Sequence, residues 1–183
     1  MGNWQLDPYH TQVEFSAKHL GMMTVRGYFD EVATTADIDP DHPETASVEA
    51  TISTASIRTN NAVRDNDIRS SNFLEVDKFP VITFKSTSVE PSGPDRYTLT
   101  GDLTIKGTTR PVVLEVLKYG EFSDPGMMGH RIAYSATSKI NRKDFGLSFH
   151  AVLDGRLVVS DEIQIMIEGE IVEQPQTTQT ATG

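Results

Sequence analysis

The stretch Val13-Glu14-Phe15-Ser16-Ala17-Lys18-His19 alternates without a fault: its odd positions are apolar, its even positions polar, and the odd row ends in a histidine. Alternation of period two sends successive side chains to opposite faces of a β-strand, so the segment reads as a half-buried strand. The pattern recurs along the chain. Val25/Gly27/Phe29, Val48/Ala50/Ile52, Ile82/Phe84, Tyr97/Leu99/Gly101/Leu103/Ile105, Val112/Leu114/Val116, Ile132/Tyr134/Ala136 and Ile163/Ile165/Ile167 are the apolar rows of seven further runs, giving eight candidate strands.

Turn chemistry separates several of them, at Pro91-Ser92-Gly93-Pro94, at Lys106-Gly107-Thr108-Thr109 and at Asp124-Pro125-Gly126. Short links favour antiparallel neighbours. Strands with one apolar face need a second sheet or closure on themselves, which predicts an all-β antiparallel sandwich or barrel. The spacing of Val63, Ile68, Phe73 and Leu74 predicts a helix over 61–74 lying across one end of the sheet, and a helical turn fits 142–145. Residues 1–173 form a single domain in this reading. The stretch 174–183 holds no large apolar side chain and is expected to be a disordered tail.

Composition narrows the function. The 183 residues are enough to bury a core without staples, and the absence of cysteine excludes disulfides, zinc–thiolate sites and cysteine nucleophiles. A net charge of -10 argues against a nucleic-acid binder, which gains its affinity from Lys and Arg contacts to phosphate. The start, MGNWQLDPYHTQ, lacks the pattern of a secretory signal, Leu6 spoils a myristoylation motif, and no run approaches the roughly 18 apolar residues of a membrane span. A soluble cytoplasmic protein is the expectation. No GxSxG elbow, HExxH or carboxylate-rich calcium loop is present, and no catalytic residue, metal site or cofactor is expected.

An eight-stranded barrel is just wide enough to be filled by side chains or to hold one small ligand. The inward rows mix bulky Phe15, Phe29, Phe84 and Tyr134 with small Ala17, Gly27, Ala50, Gly101, Ala136 and Gly169. Small residues leave room for a ligand, yet glycine in a strand also marks bulges and barrel corners. Both readings stand on pattern alone.

Four segments, WQLDPYHTQVEFSAKHLG (Trp4 to Gly21), SIRTNNAVRDNDIRSSNFLEVDKFPVITF (Ser56 to Phe84), GDLTIKGTTRPVVL (Gly101 to Leu114) and NRKDFGL (Asn141 to Leu147), resemble in order and spacing the YceI-like, polyisoprenoid-binding family of bacterial proteins. The resemblance implies a lipocalin-like eight-stranded barrel, in many members a dimer, with a long apolar tunnel for an isoprenoid chain such as a polyprenyl phosphate or an isoprenoid quinone. The bound lipid would be a ligand, with no resident cofactor. Where that family commonly reads Arg-Asp-x-His-Leu-Arg-Ser, this chain has Arg64-Asp65-Asn66-Asp67-Ile68-Arg69-Ser70, and Asn72 stands where Asp is frequent.

Taken with the inward rows, the resemblance makes Phe15, Ala17, His19, Gly27, Phe29, Ala50, Ile52, Phe73, Phe84, Leu99, Gly101, Leu103, Leu114, Tyr134, Phe145 and Ile165 the ligand-lining candidates. Arg64, Arg69 and Arg142 are the head-group candidates, because a guanidinium offers parallel donors to a phosphate; pairing with local carboxylates such as Asp65 and Asp144, or capping of the barrel end, is the competing structural role. Trp4 is expected to plug one barrel end, and Met22-Met23 to form either a pliable rim or an ordinary turn. The alternative to a carrier is a lipid-modifying enzyme that uses His19 as general base.

Overall fold

A computed structural model describes residues 3–175, and within them each alternating run falls on a strand. The strands are β1 (Asn3–His19), β2 (Met23–Phe29), β3 (Val32–Asp37), β4 (Ser47–Ser53), β5 (Ile57–Arg58), β6 (Val81–Gly93), β7 (Arg96–Ile105), β8 (Thr108–Asp124), β9 (Gly129–Asn141), β10 (Val152–Leu153), β11 (Arg156–Leu157) and β12 (Glu162–Gln174). Gln174, placed in the tail by the sequence reading, still belongs to β12, and the rest of that expected tail from residue 176 lies outside the described residues.

Ten strands form one antiparallel sheet in the order β3-β4-β6-β7-β8-β9-β12-β1-β2-β5, while β10 and β11 pair separately. The two ends of that order are not loose. β2 runs on into β3 and β4 into β5, and the bent pair stays joined through the bend: Phe29 faces Ile57, Asp30 N–H donates to Ser56 O at 3.3 Å, Ser53 N–H donates to Glu31 O at 3.0 Å, and Val32 faces Ile52. Ten ladder segments are therefore eight strands, two of them bent, curled until the sheet meets itself. One stretch of wall stays unladdered. β1 pairs with β2 only from Val13 onward, and among the described residues its first half lies alongside β3 without a ladder.

Local chemistry sets the corners. Lys106 and Gly107 both take positive φ, 50° and 74°, closing the two-residue β7–β8 hairpin with the handedness that matches strand twist. The predicted helix over 61–74 is shorter: α1 covers Ala62–Arg69, opened by the Asn61 side chain accepting from Arg64 N–H. It stops because Leu74 N–H and Val76 N–H bond back to the carbonyls of Ile68 and Arg69, which carries Leu74 down into the core. Arg142–Phe145 forms the expected turn, as a 3-10 helix.

The buried apolar residues fall into two separate clusters. Ile57, Leu74, Ile82, Leu103, Ile105, Phe145 and Leu147 pack beneath α1, and Trp4, Ile132 and Ile171 pack at the opposite end. Trp4 thus sits at one end, as expected, and of the two partners the sequence allowed, the helix or the last strand, it packs on the last strand and on β9. Between the clusters the inward residues are not buried: Ile163, Ile165 and Ile167 of β12 stay half-exposed although they alternate with outward Glu162, Gln164, Met166 and Glu168. They face a space.

That space is not made at Gly27 and Gly101, which corrects their reading, whereas Gly169 does border it. A Cβ at Gly27 would run into the Phe15 ring and lie 2.9 Å from Thr59 Cγ2, and one at Gly101 would run into the Phe84 ring and lie 2.6 Å from Lys85 O. Each glycine is the seat of a neighbouring strand's phenylalanine, which therefore lies flat on the wall. The room appears in the lumen, one layer further in.

A clip fixes the Trp4 end. The register of β1 shifts between Leu6 and Thr11, and Asp7 closes the irregularity by accepting from Tyr9 N–H at 2.9 Å, while its backbone oxygen accepts from Thr11 Oγ1 at 2.7 Å. The same carboxylate takes Arg131 Nη1 of β9 at 2.6 Å and faces His10 Nδ1 at 2.9 Å. These partners hold its pKa down at about 2.

Two stability outcomes follow from this packing. Gly27→Ala should cost about 1–3 kcal/mol by overpacking, and Phe15→Leu in the same chain should return part of that loss, a coupling of about 0.5–3 kcal/mol read from urea unfolding of the single and double variants. For the clip, the folded pKa of Asp7 lies below the ordinary 3.8, so its stabilisation is fully present above that pH and lost as the pH falls through about 2. Asp7→Asn should therefore be less stable than the parent at neutral pH, with the gap closing between pH 4 and 2 in a thermal-melt series.

Candidate functional site

The interior left between the two packed ends is a continuous cavity of about 1030 Å³. Its walls are almost wholly apolar. β12 contributes Ile163, Ile165 and Ile167, β1 contributes Val13, Phe15 and Ala17, and the bent strands contribute Phe29, Val32, Ala50 and Ile52. The cavity reaches solvent beside α1 and the β1–β2 turn, where two lining residues, Val63 and Met23, are 82% and 67% exposed. Met23 thus stands at the rim, where the turn from β1 enters β2, while Met127 and Met128 stand on the surface.

Of the ligand-lining candidates, Phe15, Ala17, His19, Phe29, Ala50, Ile52, Phe73, Phe84, Leu99, Leu103, Leu114, Tyr134 and Ile165 border this cavity. Gly27 and Gly101 do not, because phenylalanine rings cover them. Phe145 does not either: at 2% exposure it is packed into the core beneath α1. His19 lies exposed at the mouth, with Nδ1–H donating to Val158 O at 3.0 Å, and is not a lone polar group deep in the tube.

The three arginines are brought to the mouth end and tied there by backbone. Arg64 donates from Nε to Thr59 Oγ1 at 2.7 Å and from Nη2 to Thr59 O at 2.8 Å. Arg69, which does not border the cavity, donates to Ala55 O at 3.0 Å and Ile57 O at 2.6 Å. Arg142 is buried at 3% exposure and donates to Ser160 O, Leu147 O and Val159 O at 3.0, 2.5 and 3.4 Å, and to Asp161 at 3.0 Å. Buried carbonyls without partners are costly, so these guanidiniums read first as clasps of the barrel end. Asp65, buried nearby, accepts from Thr59 N–H and Oγ1 and completes the same clasp. The two positions where the chain departs from the expected pattern touch each other: Asn72 Nδ2 donates to Asp67 Oδ1 at 2.7 Å, beside the mouth.

The opposite end carries polar groups that the sequence reading passed over. Lys118, two residues past the inward row Val112/Leu114/Val116, borders the cavity together with Tyr97 and Tyr134. Extending that row by one step would have reached it. Burial pushes the Tyr134 phenol up to about 12. Behind this corner His130 is held by Glu121 and Glu173 at 2.5 and 2.9 Å, which raises its pKa above 6.5.

Asp7, His10 and Glu170 come together closely enough to suggest metal ligation. Arg131 Nη1, however, bonds both carboxylates, at 2.6 and 3.0 Å, and supplies the positive charge there itself.

An antiparallel barrel with a packed cluster at each end and a largely apolar, ligand-sized lumen between them defines a lipocalin-like fold. The comparisons give that class its family. The YceI-like domain matches residues 4–171, and Protein YceI of Salmonella arizonae is 39% identical over 165 residues, 90% of this chain and 83% of that protein. The chain belongs to the YceI-like family. Among solved structures, Burkholderia cenocepacia BcnA superposes with a TM-score of 0.80 at 22% identity, covering 91% of this chain and 99% of that one. The Campylobacter jejuni YceI protein follows at 0.75 and 29%, with 87% and 90% covered. A polyisoprenoid-binding domain from Saccharophagus degradans gives 0.64 at 14% identity over 95% of this chain and all of that one, 100%.

Arg142→Met tests the clasp. It leaves the buried Leu147 O and the half-buried Ser160 O and Val159 O without this partner and should lower the unfolding free energy by about 2 kcal/mol or more in urea denaturation, well beyond a surface substitution.

Proposed function

We propose that this protein binds and carries a long isoprenoid-type lipid, a polyprenyl phosphate or an isoprenoid quinone, lengthwise in the barrel. The observation that carries the reading is the apolar cavity of about 1030 Å³ running between two separately packed ends. A dry void of that size would cost roughly 25 kcal/mol at about 24 cal/mol per Å³, more than the whole stability of an ordinary domain. The lumen is therefore occupied in the folded protein, by water through the mouth or by a ligand, and water against apolar walls is readily displaced by hydrocarbon. Family membership and the likeness to a polyisoprenoid-binding domain support a lipid as that occupant.

Magnitudes assign the roles. Burying hydrocarbon contributes about 0.8 kcal/mol per CH₂, whereas a single hydrogen bond contributes about 0.5–1.5 kcal/mol net. The tail supplies affinity and the head group sets direction.

Native mass spectrometry of the purified protein, and of protein reloaded with polyprenyl phosphates, quinones and fatty acyl chains, tests the reading. A bound lipid mass, with Tm raised on reloading, is expected. Ala50→Trp, which projects an indole into the lumen, should abolish loading while leaving the barrel folded. Failure of every one of these lipids to bind the parent protein overturns the proposal.

A further inference from the structure

We propose that Lys118, Tyr97 and Tyr134 form a head-group subsite at the Trp4 end of the cavity, built for an uncharged carbonyl such as that of a quinone and not for a phosphate. The inference rests on the carrier reading and adds the ligand's direction and its head-group class.

Three observations place the subsite. Lys118 on β8 and Tyr134 on β9 face each other in register, and Tyr97 on β7 is paired with Val116, one inward step along β8. All three border the cavity, and Tyr134 also packs on the cluster of Trp4, Ile132 and Ile171 that plugs this end. The tube is otherwise greasy, so this corner is where the buried part of a ligand meets donors.

The donors have hydrogens to give. Lys118 is 21% exposed and its ammonium gives one bond to Glu121, at 2.6 Å; an ammonium has three. Tyr134 is protonated at any ordinary pH, and its hydroxyl meets no protein partner among the described residues. An ammonium and a phenol that border one space suit an acceptor oxygen.

The charge around them decides the class. Glu121, Glu173 and Asp95 stand against Lys118 and His130, because Glu121 pairs with Lys118 and with His130, His130 pairs again with Glu173, and Asp95 lies close enough to act on both Lys118 and Tyr134. Even with His130 protonated the corner is not positive. A phosphate carrying one or two negative charges would meet a cation already neutralised, plus surplus carboxylate. A carbonyl takes the same hydrogen bonds without that repulsion. At the other end Arg142 is committed to three carbonyls and Asp161, and Arg69 does not border the cavity, whereas Arg64 and Lys18 do and keep donors beyond their bonds to Thr59 and Thr24. A phosphate head group would therefore favour the mouth, and a carbonyl the corner at Lys118. A carbonyl head group held at Lys118 and Tyr134 lies deep, and its tail runs out toward α1.

Trp4 is the only tryptophan of the chain and sits at this end, which makes it a built-in reporter. A benzoquinone ring held beside it quenches its fluorescence, whereas a ring at the mouth would leave it bright. The experiment compares a polyprenyl benzoquinone, a polyprenyl monophosphate of equal chain length and squalene, a hydrocarbon without a head group, by Trp4 quenching for the first and competition for the others. The expected result is strong quenching by the quinone, and a Kd for it about tenfold or more below those of the other two. Lys118→Met with Tyr134→Phe should bring the quinone to the affinity of squalene and leave squalene itself unchanged. Tyr134→Phe alone, which removes one oxygen, should lose part of the advantage and guards against a folding defect in the double variant. Unaltered quinone binding in both variants, unquenched Trp4, or preference for the phosphate overturns the subsite. Squalene binding with no gain for the quinone defeats the subsite alone, whereas failure of all three probes defeats the carrier reading with it.

Discussion

Closure of the sheet through the bent pair, β2–β3 against β4–β5, is the constraint on which the rest depends. An open sheet of this length would present its apolar rows to water on one face and two unpaired edges to other chains. Joined on itself, the same sheet turns every inward row toward a common axis. The curvature is then too wide for side chains from opposite walls to meet in mid-barrel. Packing is achieved only where something else enters the tube: α1 with Leu74, Phe145 and Leu147 at one end, Trp4 at the other. The hollow between is a consequence of geometry, and the flat seating of Phe15 and Phe84 on glycines keeps it clear.

The polar groups obey the same division. At the mouth, guanidiniums are spent on carbonyls that an irregular, partly buried chain would otherwise leave unpaired. At the plugged end, Asp7, Arg131 and Glu170 tie β1, β9 and β12 together while His130 and Glu121 lean on Lys118. The lumen between them has little polarity to offer, so direction along the tube can be set only at its ends.

Much of this was legible in the sequence because β alternation is local. The inward rows of eight strands, the all-β class and the turn at Arg142–Phe145 follow from neighbours in the chain. What was not legible is non-local. Gly27 and Gly101 looked like empty space, and only the cross-strand register reveals the phenylalanine that lies over each. Phe145 looked like a wall residue and is core, since the turn that carries it folds beneath α1. The first half of β1 escaped notice because Asp7-Pro8 breaks the alternation at the register shift, and β3 because Val32 to Ala36 is built of small residues with weak contrast. Lys118 was missed for a simpler reason: a charged residue ended a row that in fact continues inward.

The unladdered stretch between β1 and β3 gives the cylinder an unstitched side. Elsewhere the walls are held by rungs between strands, but here no backbone ladder joins the two edges among the described residues. The barrel is thus stitched by rungs everywhere but along this one seam, which side chains alone close, with Leu6 and Ile38 both packed on the Trp4 cluster.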